Sequence, residues 1–139
     1  MSSASGNAAL SVTMNARWER ALTSGDAEAV RQLLQSGADI NARDRYGPTV
    51  LMRAAHRGHE ALVETLIEHG ADLNVTAKYH LGALMLAVVA GHAGIVRRLV
   101  RAGADRGLRG SGLPGFAGKA AYDLAVARQM EELYEELQP

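Results

Sequence analysis

The apolar residues of this chain fall into short clusters that are separated by polar, turn-rich stretches. One such cluster lies at helical spacing and forms a single apolar stripe, made of Leu62, Val63, Leu66 and Ile67. Gly70 follows the stripe at the point where helices commonly end in a left-handed residue. The pattern therefore predicts a short outer helix with one buried side.

A second, inner helix is predicted just upstream. Thr49 is a favourable N-cap for a helix over 50–57, and Gly58 ends the run. Its buried side would consist of Leu51, Ala54 and Ala55, of which the two alanines are small enough for close helix packing. The stretches 39–47 and 72–80 are polar and rich in turn formers, so we expect an extended hairpin between successive helix pairs.

The whole pattern repeats every 33 residues, since the tripeptide Gly-Ala-Asp begins at residues 37, 70 and 103. The glycines at 25, 58 and 91 keep the same step, and so do the apolar triplets that begin at 30, 63 and 96. Helices this short are marginal alone, and one unit cannot bury its own stripe. The units must therefore stack side by side into a solenoid.

The second unit contains the residues Asp44-Arg45-Tyr46-Gly47-Pro48-Thr49-Val50-Leu51, Ala54-Ala55, Gly58-His59 and Gly70-Ala71-Asp72-Leu73-Asn74. In these residues it resembles an ankyrin repeat. The resemblance extends over about 14–137 and implies an all-α ankyrin-repeat solenoid, in which helix-turn-helix units of 33 residues are joined by β-hairpin-like turns. Methionine at 52 and 85 replaces the family's histidine, and we expect it to give a more apolar seam between units.

We predict a flexible leader over 1–13 and a single ankyrin-repeat domain over 14–138. The domain divides into an N-terminal cap unit 14–43, repeats 44–76 and 77–105, a long hairpin 106–117 and a C-terminal cap unit 118–138. The long hairpin carries about five residues more than the preceding one. The last unit is expected to end in an acidic helix from about Gln129 to Leu137.

The amino-acid composition excludes several kinds of functional site. The chain has 15 basic and 15 acidic residues, a net charge of zero and no cysteine. Disulfides, zinc–thiolate sites and thiol nucleophiles are thereby excluded, and neutrality argues against nucleic-acid or membrane binding. The first residues lack the pattern of a signal peptide, and no apolar run is long enough to span a bilayer. We expect a cytoplasmic protein.

The sequence offers little catalytic or metal-binding chemistry. His56 and His59 are three residues apart, but no second histidine completes a metalloprotease helix after His59. The stretch 112–119 superficially resembles a phosphate-binding loop, yet its spacing is one residue too long and Ala120 stands where a metal-binding hydroxyl is needed. The serines lie in the leader, in turns and in the long hairpin. We expect no enzyme activity, no cofactor and no metal.

The resemblance implies that partners bind a concave face formed by the hairpin tips and the exposed side of the inner helices. Transferred residue by residue, this face comprises Arg20, Arg45, Tyr46, Arg53, His56, Arg57, Lys78, Tyr79, Leu86, Val89, Arg109, Leu113 and Phe116. The set holds several positive charges and no acid. It predicts a protein–protein interaction module, acting as an adaptor, inhibitor or sequestering partner, with an acidic protein as its ligand.

Three alternatives remain open at this stage. The same residues would also suit a solvated surface without a common partner. The chain would equally serve as a structural subunit of a larger or self-associated assembly, through Trp18, Tyr134 or exposed methionines, although we expect a monomer when it is unbound. The long hairpin is either a tolerated flexible insertion or a recognition loop that presents Leu113 and Phe116.

Overall fold

The computed structural model describes residues 16–138, so the predicted leader 1–13 lies outside the described residues. Within this range the chain forms eight α-helices, two 3₁₀ helices and no β-strand. The α-helices are α1 (16–24), α2 (Ala27–Gln35), α3 (Val50–Arg57), α4 (Glu60–Glu68), α5 (Ala83–Ala90), α6 (Ala93–Arg101), α7 (Ala121–Ala127) and α8 (Tyr134–Leu137). The 3₁₀ helices cover Lys78–His80 and Glu131–Leu133.

The helices form two rows. The inner helix α5 packs between α3 and α7, and the outer helix α4 packs between α2 and α6. Each inner helix also packs against the outer helix of its own unit, as α3 does against α4. The predicted all-α solenoid is confirmed, and its core is one continuous apolar cluster that runs through all the stacked units.

The predicted inner helix is confirmed with the same bounds. Thr49 caps α3, since its Oγ1 accepts a hydrogen bond from the backbone N–H of Met52 at 3.3 Å. Gly58 ends the helix at φ 84°, a left-handed conformation that only glycine adopts without strain. The predicted buried side is also confirmed, because Leu51, Ala54 and Ala55 are at most 1% exposed.

Hydrogen bonds join each repeat to the next at the same position. The Oδ1 atom of Asn41 accepts from the backbone N–H of Asp72 at 2.8 Å, and Asn74 accepts from Asp105 at the same distance. Arg43 adds a bond from Nη1 to the carbonyl oxygen of Thr76 at 2.7 Å. These bonds satisfy backbone groups in the turns, where no strand partner is present.

Methionine side chains fill the interface between neighbouring repeats, as expected. Met52 and Met85 are 1% and 2% exposed and belong to the continuous core. Their flexible thioether side chains adapt to the space that the family's histidine would occupy.

The predicted hairpin-like turns are present, each closed by a backbone hydrogen bond, from Asp44 N–H to the Pro48 carbonyl oxygen and from Ala77 N–H to the Leu81 carbonyl oxygen. The turn before α3 contains one isolated antiparallel bridge between Arg43 and Thr49, and the equivalent turn before α5 contains the short 3₁₀ segment Lys78–His80, whose backbone is left-handed at Tyr79. In the first turn Gly47 supplies the positive φ, whereas His80 takes the same position in the second. Tyr79 and His80 both adopt φ 59°. Left-handed backbone at two non-glycine residues costs about 1 kcal/mol or more each, so surrounding contacts must hold the turn.

The predicted helix over Gln129–Leu137 is corrected by the structure. Gln129 adopts a left-handed φ of 58°, the 3₁₀ helix Glu131–Leu133 follows, and α8 is a single turn. Leu133 and Leu137 are fully buried, so the segment still covers the end of the core as a cap should.

Candidate partner-binding surface

The term concave face denotes the turns 44–48 and 77–81, the loop 106–117 and the exposed sides of α1, α3 and α5. The structure places all thirteen predicted residues on these elements. Arg20 lies on α1, three residues lie on α3, two lie on α5, and the others lie on the turns and the loop. The side chains differ greatly in how free they are to meet a partner.

The turns before α3 and α5 each carry a basic side chain next to a tyrosine. The guanidinium of Arg45 lies 5.0 Å from the ring centroid of Tyr46, and the ammonium of Lys78 lies 5.1 Å from that of Tyr79. These cation–π contacts hold a positive charge beside an aromatic ring at each tip. Tyr46 is 74% exposed and is therefore available for contact with a partner.

Tyr79 is instead engaged within the molecule. Its ring lies 5.8 Å from that of Phe116, and its carbonyl oxygen accepts from the backbone N–H of Ser111 at 2.8 Å. Nδ1 of His80 lies 3.0 Å from the carbonyl oxygen of Arg109. The long loop is thus folded against the preceding turn, and these contacts stabilise the strained backbone at 79 and 80.

Within the long loop, only part of the side-chain surface is free. Phe116 packs against the core, while Leu113 is 44% exposed at the tip. Arg109 donates to the carbonyl oxygen of Gly118 at 2.7 Å, and its Nη1 lies 3.9 Å from the carboxylate of Asp123. Arg109 and Phe116 therefore help to build the loop, although the Arg109 side chain is still 59% exposed, and Leu113 is the exposed apolar residue among the three.

The predicted set of contact residues left out the acids that lie around Arg53. The structure brings Glu19 from α1 and Asp44 from the first turn against its guanidinium, with Nη2 3.0 Å from one Glu19 oxygen and Nη1 3.5 Å from Asp44. The hydrogen bond from Arg53 lowers the pKa of Glu19, and the same bond raises the pKa of Arg53. Arg53 is thus neutralised, and the positive charge available to a partner lies elsewhere.

The remaining predicted residues divide into a polar and an apolar group. Arg20, His56 and Arg57 are exposed on α1 and α3, whereas Leu86 and Val89 on α5 are partly buried against the core. Within the described residues, no carboxylate lies within ion-pairing distance of Arg20 or Arg57. Arg20 and Arg57 are therefore free cations on the exposed sides of α1 and α3.

A cleft of about 600 Å³ lies between α1 and the first turn. Its apolar wall includes Trp18, Pro48 and Val50, and its polar wall includes Glu19 and Arg53. The prediction of site residues missed Trp18, Glu19 and Val50. Glu19 precedes Arg53 by 34 residues, about one repeat, and that spacing is the signal that would have placed the two side chains on adjacent inner helices.

The described residues contain no group of three or more histidine, aspartate or glutamate side chains arranged to hold a metal ion. Among the same residues, no helix is long and apolar enough to cross a membrane.

Comparison with known proteins decides the family. A sequence model of ankyrin repeats matches residues 18–109 in three copies. The chain belongs to the ankyrin repeat family. Ankyrin repeats generally mediate protein–protein interaction, and the family is generally non-enzymatic. Of the predicted contact residues, only Leu113 and Phe116 fall beyond the matched region.

Two ankyrin repeat proteins of Rickettsia felis are similar to part of this chain. Each is 46% identical over 46 residues, which is 33% of this chain. The matched part covers 73% of one relative and 70% of the other. These likenesses agree with the ankyrin assignment.

Proposed function

We propose that this ankyrin repeat protein is a non-catalytic binding module, acting in the cytoplasm as an adaptor, inhibitor or sequestering partner of another protein. The concave face would bind the partner, and the partner would carry an acidic surface. The observation that supports this best is the pair of tips, each with a cation held beside a tyrosine ring. Tyrosine and arginine are the residue types most enriched at the centres of protein interfaces.

The free charge of the concave face favours an acidic partner. Arg20, Arg45, Arg57 and Lys78 have no ion-pair partner among residues 16–138, while the acids Glu19 and Asp44 are engaged by Arg53. Binding through such charges speeds association and weakens as salt rises. Removal of Arg53 would free the carboxylates of Glu19 and Asp44, so Arg57, which has no described ion-pair partner, is the residue whose removal tests the free charge alone.

The experiment is an affinity capture from native lysate with the wild-type chain and a triple variant, Arg45→Glu/Tyr46→Ala/Arg57→Glu, shown by circular dichroism to be folded. All three residues are exposed, so the fold should survive. We expect a protein that is captured by the wild type, lost with the variant and released by about 0.5 M salt. Arg101→Glu on the outer helix α6 is the matched control and should retain the protein.

Two results would contradict the proposal. Capture of the same protein by the wild type and the triple variant would place the binding surface elsewhere. Capture that is insensitive to salt would remove the acidic partner while leaving the concave face in place.

A second candidate function, a subunit of a self-associated assembly, is favoured by one observation. Val126 is 44% exposed at the C-terminal end of the stack, beside the edge-on ring pair of Tyr122 and Tyr134. The equivalent Ala55 and Val88 of the internal repeats are fully buried. An elution volume that falls with concentration, and that Val126→Glu restores, would support self-association. A concentration-independent monomer would exclude it.

The other predicted self-association contacts are corrected by the structure. Trp18 is 6% exposed, and Met52, Met85 and Met130 are at most 9% exposed, so none of them is available to a second copy. The methionines at 1 and 14 lie outside the described residues.

A further inference from the structure

The inner helix α5 is apolar all round, although it is not buried all round. Every residue of Ala83–Ala90 is apolar, and its inner side packs between α3 and α7. Leu86, Val89 and Ala90 remain partly exposed at the positions where α3 carries Arg53, His56 and Arg57. A helix without a polar side is typical of a segment covered on all sides. The exposed strip of α5 is therefore a surface that lacks a cover.

Free cations border this apolar strip on several sides. Arg57 ends α3, and Arg128 follows α7 at the equivalent position, so the two flank Ala90 across the row of inner helices. The guanidinium of Arg128 lies 3.2 Å from the point that a Cβ on Gly91 would occupy, at the C-terminal end of α5. Lys78 precedes α5 in the second turn. Among the described residues, none of these three cations forms an ion pair.

The acids near the strip are already engaged. Asp44 lies 3.5 Å from Arg53, and Asp123 accepts from the backbone N–H of Ala120 at 2.9 Å and lies 3.9 Å from Arg109. Arg53 shared between Glu19 and Asp44 leaves one negative charge, whereas Arg57, Arg128 and Lys78 supply three positive charges, so the net charge around the strip is positive. Neighbouring inner helices lie about 10 Å apart, so Arg57 and Arg128 are separated by about 20 Å with the apolar strip between them.

The second turn and the long loop, beside the apolar strip, are fixed to each other by contacts within the molecule. The bond from Ser111 to the carbonyl oxygen of Tyr79 and the contact between His80 and Arg109 join the second turn to the long loop. The Tyr79–Phe116 ring contact closes the same junction. A surface that is ordered in advance loses less conformational entropy on binding.

We infer that the concave face recognises one kind of protein segment, with an apolar centre and acidic side chains on both sides of it. The apolar centre covers Leu86, Val89 and Ala90, and the flanking acids reach Arg57 on one side and Arg128 on the other. This inference rests on the proposed function and names the chemistry of its partner. Apolar burial supplies affinity, and the two outer cations fix how the segment lies across the helices.

The test is a selection from a displayed library of random 16-residue peptides on the immobilised full chain, followed by affinity measurement of the enriched peptides by fluorescence anisotropy. We expect enriched peptides with leucine, isoleucine or phenylalanine at the centre and aspartate or glutamate towards both ends. A library is used because it reports the preferred chemistry even when the natural partner has not been identified.

Two variants test the two halves of the inference. Leu86→Arg/Val89→His gives α5 the side chains that α3 carries, and it should weaken the enriched peptides at least about tenfold. Arg57→Glu/Arg128→Glu reverses the flanking charges at exposed positions and should weaken them by a similar factor. Arg101→Glu on the outer face is the control and should change affinity less than about twofold. The charge variant keeps the test decisive if the α5 variant does not fold.

The outcomes separate the inference from the proposed function. Enriched peptides that lack the acidic and apolar pattern, yet lose binding with Arg45→Glu/Tyr46→Ala/Arg57→Glu, would overturn the inference and leave the concave face as the binding surface. Enriched peptides that tolerate every variant of the concave face would overturn both. Failure of the wild type to enrich any peptide above the Leu86→Arg/Val89→His variant would overturn the inference as well.

Discussion

The helix pairs of repeats 44–76 and 77–105 have the same geometry but expose different surfaces. Their inner helices both have eight residues, their outer helices both have nine, and each inner helix ends at a left-handed glycine of nearly equal φ, 84° at Gly58 and 82° at Gly91. The exposed side of α3 is polar, whereas that of α5 is apolar. Stacking constrains the buried positions of both repeats, and the exposed positions are free to differ.

The outer helices show the same contrast in charge. Helix α4 carries Glu64 and Glu68 where α6 carries Arg97 and Arg101. Arg98 of α6 joins the two helices, since its guanidinium lies 2.9 Å from Glu64 and 3.8 Å from Glu60. Opposite charge thus joins the neighbouring outer helices, while the inner helices differ in whether their exposed side is polar or apolar.

The largest expected effect tests what the two repeats share. Leu66→Ala and Leu99→Ala remove fully buried side chains at equivalent positions, and each should lower the free energy of unfolding by about 2–5 kcal/mol. Urea unfolding measures both. Glu68→Ala, on the exposed side of α4, is the control and should stay within about 0.5 kcal/mol. An unchanged midpoint for either leucine variant would contradict the stacking of the repeats.

The next largest effect is a difference in stability between substitutions at the two glycines that end α3 and α5. Gly58→Ala and Gly91→Ala each place a Cβ on left-handed backbone, which costs about 1 kcal/mol. The new Cβ at 58 would lie 2.7 Å from the ring of His92, whereas at 91 it would meet the end of the Arg128 side chain at 3.2 Å. Arg128 is long and can move, so Gly58→Ala should lower the melting temperature more. Equal losses would show that the left-handed conformation alone sets the cost.

A smaller effect tests the charge contrast of the outer helices. Arg98→Glu replaces attraction to Glu60 and Glu64 with repulsion, and it should lower the free energy of unfolding by about 1 kcal/mol or less, because the pairs are partly exposed. The loss should shrink in about 0.5 M salt. Arg101→Glu makes the same charge change without a described ion-pair partner and should cost less. A loss that salt does not reduce would indicate a packing effect instead.

The smallest effect concerns Glu19 and Arg53. The pKa of Glu19 is lowered in the folded chain, mainly by its hydrogen bond from Arg53, so the pair stabilises the fold above about pH 4.5 and the contribution is lost as the pH falls through the lowered pKa. Glu19→Gln should therefore lower the melting temperature slightly at neutral pH and make no difference near pH 2. A loss for Glu19→Gln that is the same at both pH values would show that the charge of Glu19 is not its cause.

Much of the fold could be predicted because the same pattern of apolar residues, caps and glycines occurs in several repeats. Thr49 and Gly58 bracket α3 where the sequence places them, and local capping chemistry is sufficient to fix both ends. The turn before α5 could not be predicted in the same way. His80 adopts a left-handed conformation that local preference disfavours, and contacts from the long loop, distant in sequence, hold it there.

The sequence predicts on which elements the candidate site residues lie, but not which of their side chains are free to contact a partner. The resemblance to ankyrin repeats predicts that Arg53, Tyr79 and Phe116 belong to the concave face, and the structure locates them on α3, the second turn and the long loop. It also shows that Arg53 is neutralised by Glu19 and that the two aromatic rings contact each other. These engagements depend on residues from neighbouring repeats, and no single repeat contains the information.

The helices, their caps, the period of 33 residues and the need to stack can all be read from the amino-acid sequence, because they follow from local spacing and from apolar stripes that one unit cannot bury. Three other properties emerge only when the repeats are packed together: which charges remain free, how the long loop folds against the preceding turn, and that α5 presents an apolar strip between cations. They arise where side chains from different repeats meet, and their distances are set by packing across the stack.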